Sequence, residues 1–140
     1  PILTKQNMAD LKLMGSRLIQ ISGKRKPEFD GKLAIDTNIK ITNIEQMKDS
    51  KEAIKVEYDF NIDYGDLGSI ELKGMLFFHT SSKSIKNLTK SWKEKKFDSA
   101  EHVKITNVII QKATVKALEI EEELGLPMHI RLPSIKPKEE

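Results

Sequence analysis

The sequence predicts an α+β fold in two layers, a four-stranded antiparallel sheet followed by a short and a long C-terminal helix. Residues 54–64 alternate between apolar and polar side chains without a break, the period of a half-buried strand. After residue 80 the apolar period becomes helical. Strands precede helices, and the connections between strands are too short for parallel crossovers.

The elements follow in order. Residues 1–15, PILTKQNMADLKLMG, put Met8, Leu11 and Met14 on one weak helical face and define no firm element. SRLIQISGKRKPEFDGK reads as a short strand and then a turn or loop with Gly23, Pro27 and Gly31. In KLAIDTNIKIT, Leu33, Ile35, Ile39 and Ile41 share one face, and Asp36, Asn38 and Lys40 share the other. The clearest strand, AIKVEYDFNIDYG, aligns Ile54, Val56, Tyr58, Phe60, Ile62 and Tyr64. Gly65 to Gly68 forms a turn into SIELKGMLFFHT, where Ile70, Leu72, Leu76 and Phe78 share a face. The opposite face of that strand begins polar with Glu71 and Lys73, then turns apolar with Met75 and Phe77.

Ile85, Leu88 and Trp92 mark the short helix. The long helix runs through DSAEHVKITNVIIQKATVKALEIEEELG, with Asp98 and Glu101 at capping-box spacing and Gly125 closing it. Val103, Ile110, Ala117 and Leu124 repeat every seven residues, with Thr106, Ala113 and Ile120 between them. Ile105, Val108, Ile109 and Val115 lie off that stripe. This is more apolar surface than one sheet contact requires, so the helix is expected to meet its own sheet and a second subunit. The expected interface residues are Val103, Ile105, Val108, Ile109 and Val115.

At 140 residues the chain suits one domain, expected over residues 16–135, with residues 1–15 of uncertain order and residues 136–140 as a charged tail. No apolar run is long enough to span a bilayer, which predicts a soluble cytoplasmic protein. Cysteine is absent, which removes disulfides, thiolate nucleophiles and cysteine metal sites. His79, His102 and His129 have no partner at metal-ligand spacing. GDLGS is a turn without a following helix, so it is no phosphate loop. Glu121, Glu122 and Glu123 read as a solvated face. No enzyme activity, cofactor or metal is expected. Lys83, Lys86, Lys90 and Lys93 sit at helical spacing opposite Ile85, Leu88 and Trp92. An alternative reading therefore makes the chain a small oligomeric RNA- or polyanion-binding protein. The net charge of +3 is mild, and Glu57, Asp59, Asp63 and Glu71 on the sheet would repel phosphates, so nucleic acid is the less favoured partner.

The strand pattern, the long helix and the closing GLPMHIRLPSI together resemble the SecB-like chaperones. The resemblance covers residues 16–135. It rests on Asn107, Val108, Ile109 and Ile110 in the helix, on Leu126, Pro127, His129, Arg131, Leu132 and Pro133 after it, and on Gly74 in the last strand. Gln111 and Lys112 stand where the family carries a helical proline and arginine. The resemblance implies a homotetramer, a dimer of dimers, that uses neither catalysis nor nucleotide. It implies a holdase for unfolded or precursor polypeptide clients, held in apolar grooves between sheet and helix, with a link to protein export. The family's tail that contacts the SecA motor has no clear counterpart in SIKPKEE, so SecA is not expected as a partner. On this reading the groove is lined by Tyr58, Phe60, Ile62, Met75, Leu76, Phe77, Phe78, Leu126, Met128, Ile130 and Leu132. Gly125 and Pro127 stop the helix, and Met128, Ile130 and Leu132 alternate along an extended segment. A plainer reading makes that segment a cover over Tyr58 and Phe60.

Overall fold

The computed structural model of the chain describes residues 11–131. Four strands come first: β1 (Lys12–Arg25), β2 (Asp36–Gln46), β3 (Ala53–Asp63) and β4 (Gly68–His79). Helices α1 (Ser82–Lys93) and α2 (Ala100–Leu124) follow. The strands form one antiparallel sheet in the order β1-β4-β3-β2. The expected α+β plan, four strands and then a short and a long helix, is the observed one.

The alternation in β3 and β4 decides which face is covered. Ile54, Val56, Tyr58, Phe60 and Ile62 pair across the ladder with Phe78, Leu76, Gly74, Leu72 and Ile70. All of these apolar side chains are buried. Shortening one of the fully buried aromatics, such as Phe60, to alanine would cost about 3–5 kcal/mol. Gly74 is required by its neighbour, since a Cβ there would lie 2.5 Å from the Tyr58 hydroxyl. The Tyr58 ring therefore lies directly over the glycine. The β3–β4 hairpin turns at Gly65, whose φ of 66° favours glycine, and its N–H donates to the Asp63 carboxylate at 2.8 Å.

β1 departs from expectation. It begins at Lys12, ahead of the expected boundary at residue 16, so residues 12–15 are strand and not part of a helical face. Two register shifts, between Leu13 and Gly15 and between Leu18 and Gln20, put Met14 and Ile19 in bulges. Those extra residues break the period of two, which is why only a short strand from Ser16 was expected. Met8 lies outside the described residues. β2, by contrast, starts later than KLAIDTNIKIT suggested, at Asp36. Leu33 and Ile35 precede it, both exposed, while Ile39 and Ile41 pack on the core.

The helices cover the inner face, α1 over β2 and α2 over β1 and β4. Each starts at a serine N-cap. The Ser81 hydroxyl accepts from the N–H of Ser84 at 3.2 Å, and Ser99 from that of His102 at 3.1 Å. The cap of α2 is thus Ser99, one residue after the expected Asp98. Gly125 ends α2 in the left-handed region at φ 67°, with Leu126 N–H donating to Glu121 C=O at 2.8 Å and Gly125 N–H to Glu122 C=O at 3.3 Å. This pair of bonds is a Schellman motif, the role expected of Gly125.

Candidate functional site

α2 presents a narrow buried stripe of His102, Ile105, Ile109, Ala113, Ala117, Ile120 and Glu121. The two alanines let the helix approach the sheet closely. Ile105 and Ile109, expected at a subunit interface, are instead fully buried against the chain's own sheet. Val103 and Val115 are exposed and Val108 is half-buried. The apolar surface that α2 leaves open is therefore Val103, Ile110 and Val115, with Val108 partly accessible.

Glu121 is the largest departure from the sequence reading. Expected on a solvated face, it is 1% exposed. Its carboxylate accepts a short hydrogen bond from the Tyr64 hydroxyl and another from the backbone N–H of His129 at 2.9 Å. His129 Nδ1 lies 3.1 Å from both carboxylate oxygens. A buried carboxylate is costly unless several donors satisfy it, and here two side chains and one amide converge on it. Burial raises the Tyr64 phenol pKa, with the Glu121 hydrogen bond and charge acting in the same direction, so the hydroxyl remains a donor. His129 also meets the Phe60 ring edge-on at 5.9 Å, and its Nε2 is buried without a hydrogen-bond partner among the described residues.

This arrangement accounts for the segment after Gly125. The chain reverses, Leu126 joins the core, and His129 is pinned under α2. Met128 and Ile130, on either side of His129, are 52% and 38% exposed. The cover over Phe60 and the exposed apolar strip are two sides of one segment. Leu132 lies outside the described residues.

The other residues expected to line a groove separate by position. Tyr58, Phe60, Ile62, Leu76, Phe78 and Leu126 are buried in the core and present no surface to a client in this conformation. Met75 and Phe77 are half-buried on the opposite face of the sheet, where the Arg17 guanidinium lies 5.7 Å from the Phe77 ring centroid. Two further cavities lie along the seam between β2 and α1.

At one end of that seam a cavity of 440 Å³ is lined by Ile39, Lys40, Ile41, Trp92, Lys95, Phe97, His102 and Thr106. Three rings form its wall. Trp92 and Phe97 have centroids 5.9 Å apart, and Phe97 stacks on His102 at 4.8 Å. Phe97 is nonetheless 49% exposed. Burial lowers the pKa of His102, which favours the neutral ring. Lys95, at φ 58°, makes the tight turn that leads from α1 to Phe97. Further along, a cavity of 500 Å³ is lined by Gln46, Ile85, Lys86, Thr89, Lys90, Lys93 and Glu94. Lys83, Lys86, Lys90 and Lys93 are all exposed, and three of the four border this second cavity. The sequence reading missed Ile39, Ile41, Trp92, Phe97 and His102 as a site. A lone phenylalanine in the charged run KEKKFDS was the signal available.

A larger hollow of 660 Å³ sits at the β3–β4 turn, bordered by Lys24, Arg25 and Lys26 as well as Asp63, Asp66 and Glu71. Its mixed charges form no catalytic grouping. Among the described residues no cluster of three or more His, Asp or Glu is placed to hold a metal ion, and no helix is long and apolar enough to cross a membrane.

These elements define a SecB-like fold: a four-stranded antiparallel sheet covered by a short and a long helix. The chain is similar in structure to the Mycobacterium tuberculosis Rv1957 SecB-like chaperone in complex with a ChAD peptide from the Rv1956 HigA1 antitoxin. The TM-score is 0.61 at 10% sequence identity, over 94% of this chain and 99% of that one. No family model and no curated protein matches the sequence.

Proposed function

We propose that this chain is an ATP-independent chaperone that holds unfolded polypeptide segments against aggregation and works as a homotetramer. The observation that carries the reading is the seam between β2 and α1, an open apolar cavity walled by Trp92, Phe97 and His102. Phe97 is half-exposed beside two further rings, so the cavity offers a contiguous aromatic patch and not a single exposed side chain. The peptide-bound state of the SecB-like neighbour supports polypeptide as the ligand class. Met128 and Ile130 add a second apolar strip, and methionine adapts to many shapes. Burying client apolar surface yields about 25 cal/mol per Å² before ordering costs. Several sites on one assembly would add avidity, and holding needs no energy source because capture of the unfolded state acts by mass action. Val103, Ile110 and Val115 on α2 are proposed as the assembly surface. Assistance to export, from a cytoplasmic location, belongs to the same proposal.

The test is light scattering coupled to size exclusion, with a permanently unfolded client and the same client folded. A tetramer that co-elutes with the unfolded form alone supports the reading. An oligomer that ignores both forms overturns the chaperone assignment, and a monomer that captures the unfolded form overturns the assembly alone.

A further inference from the structure

The seam carries more charge of one sign than its apolar lining needs. Its two cavities follow one another along β2, from Ile39 and Ile41 to Gln46, with α1 running beside the strand. Residues 39 to 46 span about 23 Å of extended strand, room for about seven residues of an extended polypeptide. Four lysines border this length from the helix side: Lys95 at the first cavity, and Lys86, Lys90 and Lys93 at the second. One acid borders it, Glu94, and Lys96 holds that acid at 3.7 Å. None of these four lysines forms an ion pair with another described residue. Lys40 borders the first cavity by its backbone position in β2, and its side chain shares the far face of the sheet with its cross-strand neighbour Asp59. Lys90 and Lys93 lie in the last turn of α1, where the helix dipole favours cations. The dipole does not account for Lys86, one turn earlier, or for Lys95 beyond the helix end.

We infer that the β2–α1 seam selects client segments in which large apolar side chains are flanked by aspartate or glutamate. The inference rests on the proposed chaperone function and specifies its substrate class. An apolar anchor enters the cavity between Ile39, Ile41, Trp92 and Phe97, and acidic neighbours on the client meet the row of ammonium groups. The apolar part supplies most of the affinity, because exposed ion pairs are individually weak. The charges discriminate, since a basic flank meets like charge at several positions at once. Nucleic acid is the competing polyanion. Its unpaired bases stack on exposed aromatic rings, so an RNA is included in the test as a direct competitor for the same wall.

The test uses three fluorescein-labelled twelve-residue peptides that share one Leu/Trp/Ile core. They differ only in flanks of Glu, Ser or Lys. Anisotropy titrations at low and high salt are run on the full chain and on a Lys86→Gln, Lys90→Gln, Lys93→Gln variant. These positions are exposed, so the variant is expected to keep the wild-type circular dichroism. The acidic peptide should bind about tenfold tighter than the basic one at low salt, and the gap should shrink as salt screens it. The triple variant should lose the preference yet keep the affinity for the Ser-flanked peptide. Equal binding of all three peptides by wild type overturns the inference and leaves the chaperone reading standing. Binding of none, with no protection of an aggregating client, overturns both. A fourth peptide with acidic flanks and a Ser/Gly core, or poly-uridylate, that binds as tightly as the acidic apolar peptide would show a general polyanion site and overturn the inference.

Discussion

Replacing Glu121 by alanine removes the acceptor shared by the Tyr64 hydroxyl, the His129 amide and the His129 ring. The side chains of Glu121 and His129 are 1% and 3% exposed, and Tyr64 is fully buried, so water does not readily replace the lost partner. A buried donor left unmade costs about 1–3 kcal/mol, and at least two are left here. Relief of the buried carboxylate's own desolvation offsets part of that. The expected net loss is about 2–4 kcal/mol, a large part of the roughly 5–15 kcal/mol available to a domain of this size. The loss should be localised first at the segment after Gly125, because His129 anchors it. Urea unfolding measures the total, and hydrogen exchange at the His129 amide measures the local part. Tyr64→Phe should cost about 1–2 kcal/mol, and the double variant should fall short of the sum by about 1 kcal/mol or more. A Glu121→Ala protein within 0.5 kcal/mol of wild type, with unchanged protection at His129, would refute the reasoning.

Further expectations concern the sheet and the seam. Gly74→Ala places a Cβ 2.5 Å from the Tyr58 hydroxyl and should destabilise by about 1–3 kcal/mol in thermal melts, since the ring must shift inside a packed face. Phe97→Ala removes a half-exposed ring between Trp92 and His102, so stability should fall by about 1 kcal/mol or less. Apolar-peptide affinity, read by anisotropy, should fall about tenfold in the same variant. Because burial depresses the folded-state pKa of His102 below its ordinary value of 6.5, the unfolded chain takes up a proton first as pH falls. Stability from the neutral ring is therefore full above about pH 6.5 and declines as pH drops from there toward the folded value. In urea titrations across that window, His102→Gln should flatten the slope.

Much of the sheet was legible because its two central strands are buried on one face and alternate cleanly. β1 was read only as a short strand from Ser16, since its bulges at Met14 and Ile19 each insert a residue and reverse the apparent face. The long helix was recognised, but its faces were sorted wrongly. Apolar residues occur nearly all round it, and a heptad count cannot tell which stripe a sheet will take. The choice is made by distant residues. Ala113 and Ala117 permit close approach, and Tyr64 and His129 draw Glu121 inward. That triad was invisible for a related reason. Tyr64 is 57 residues away in sequence, and His129 is brought back only by the reversal at Gly125. The seam was half visible: its lysines were noticed as a face, and Ile39 and Ile41 as a strand. Only the tertiary fold sets them side by side.

Gly23 of β1 has a bearing on how firmly that strand is held. Exposed Met14, Ile19 and Ile21 mean that burial alone distinguishes poorly between one pairing of β1 with β4 and another slid by two residues. Yet a Cβ at Gly23 would come within 2.8 Å of Leu124 and 3.0 Å of Ile120. Sliding by two would bring Ile21 or Arg25 beneath the end of α2, where a side chain has to displace Leu124 and Ile120. The long helix thus favours one alignment of the edge strand over its neighbours.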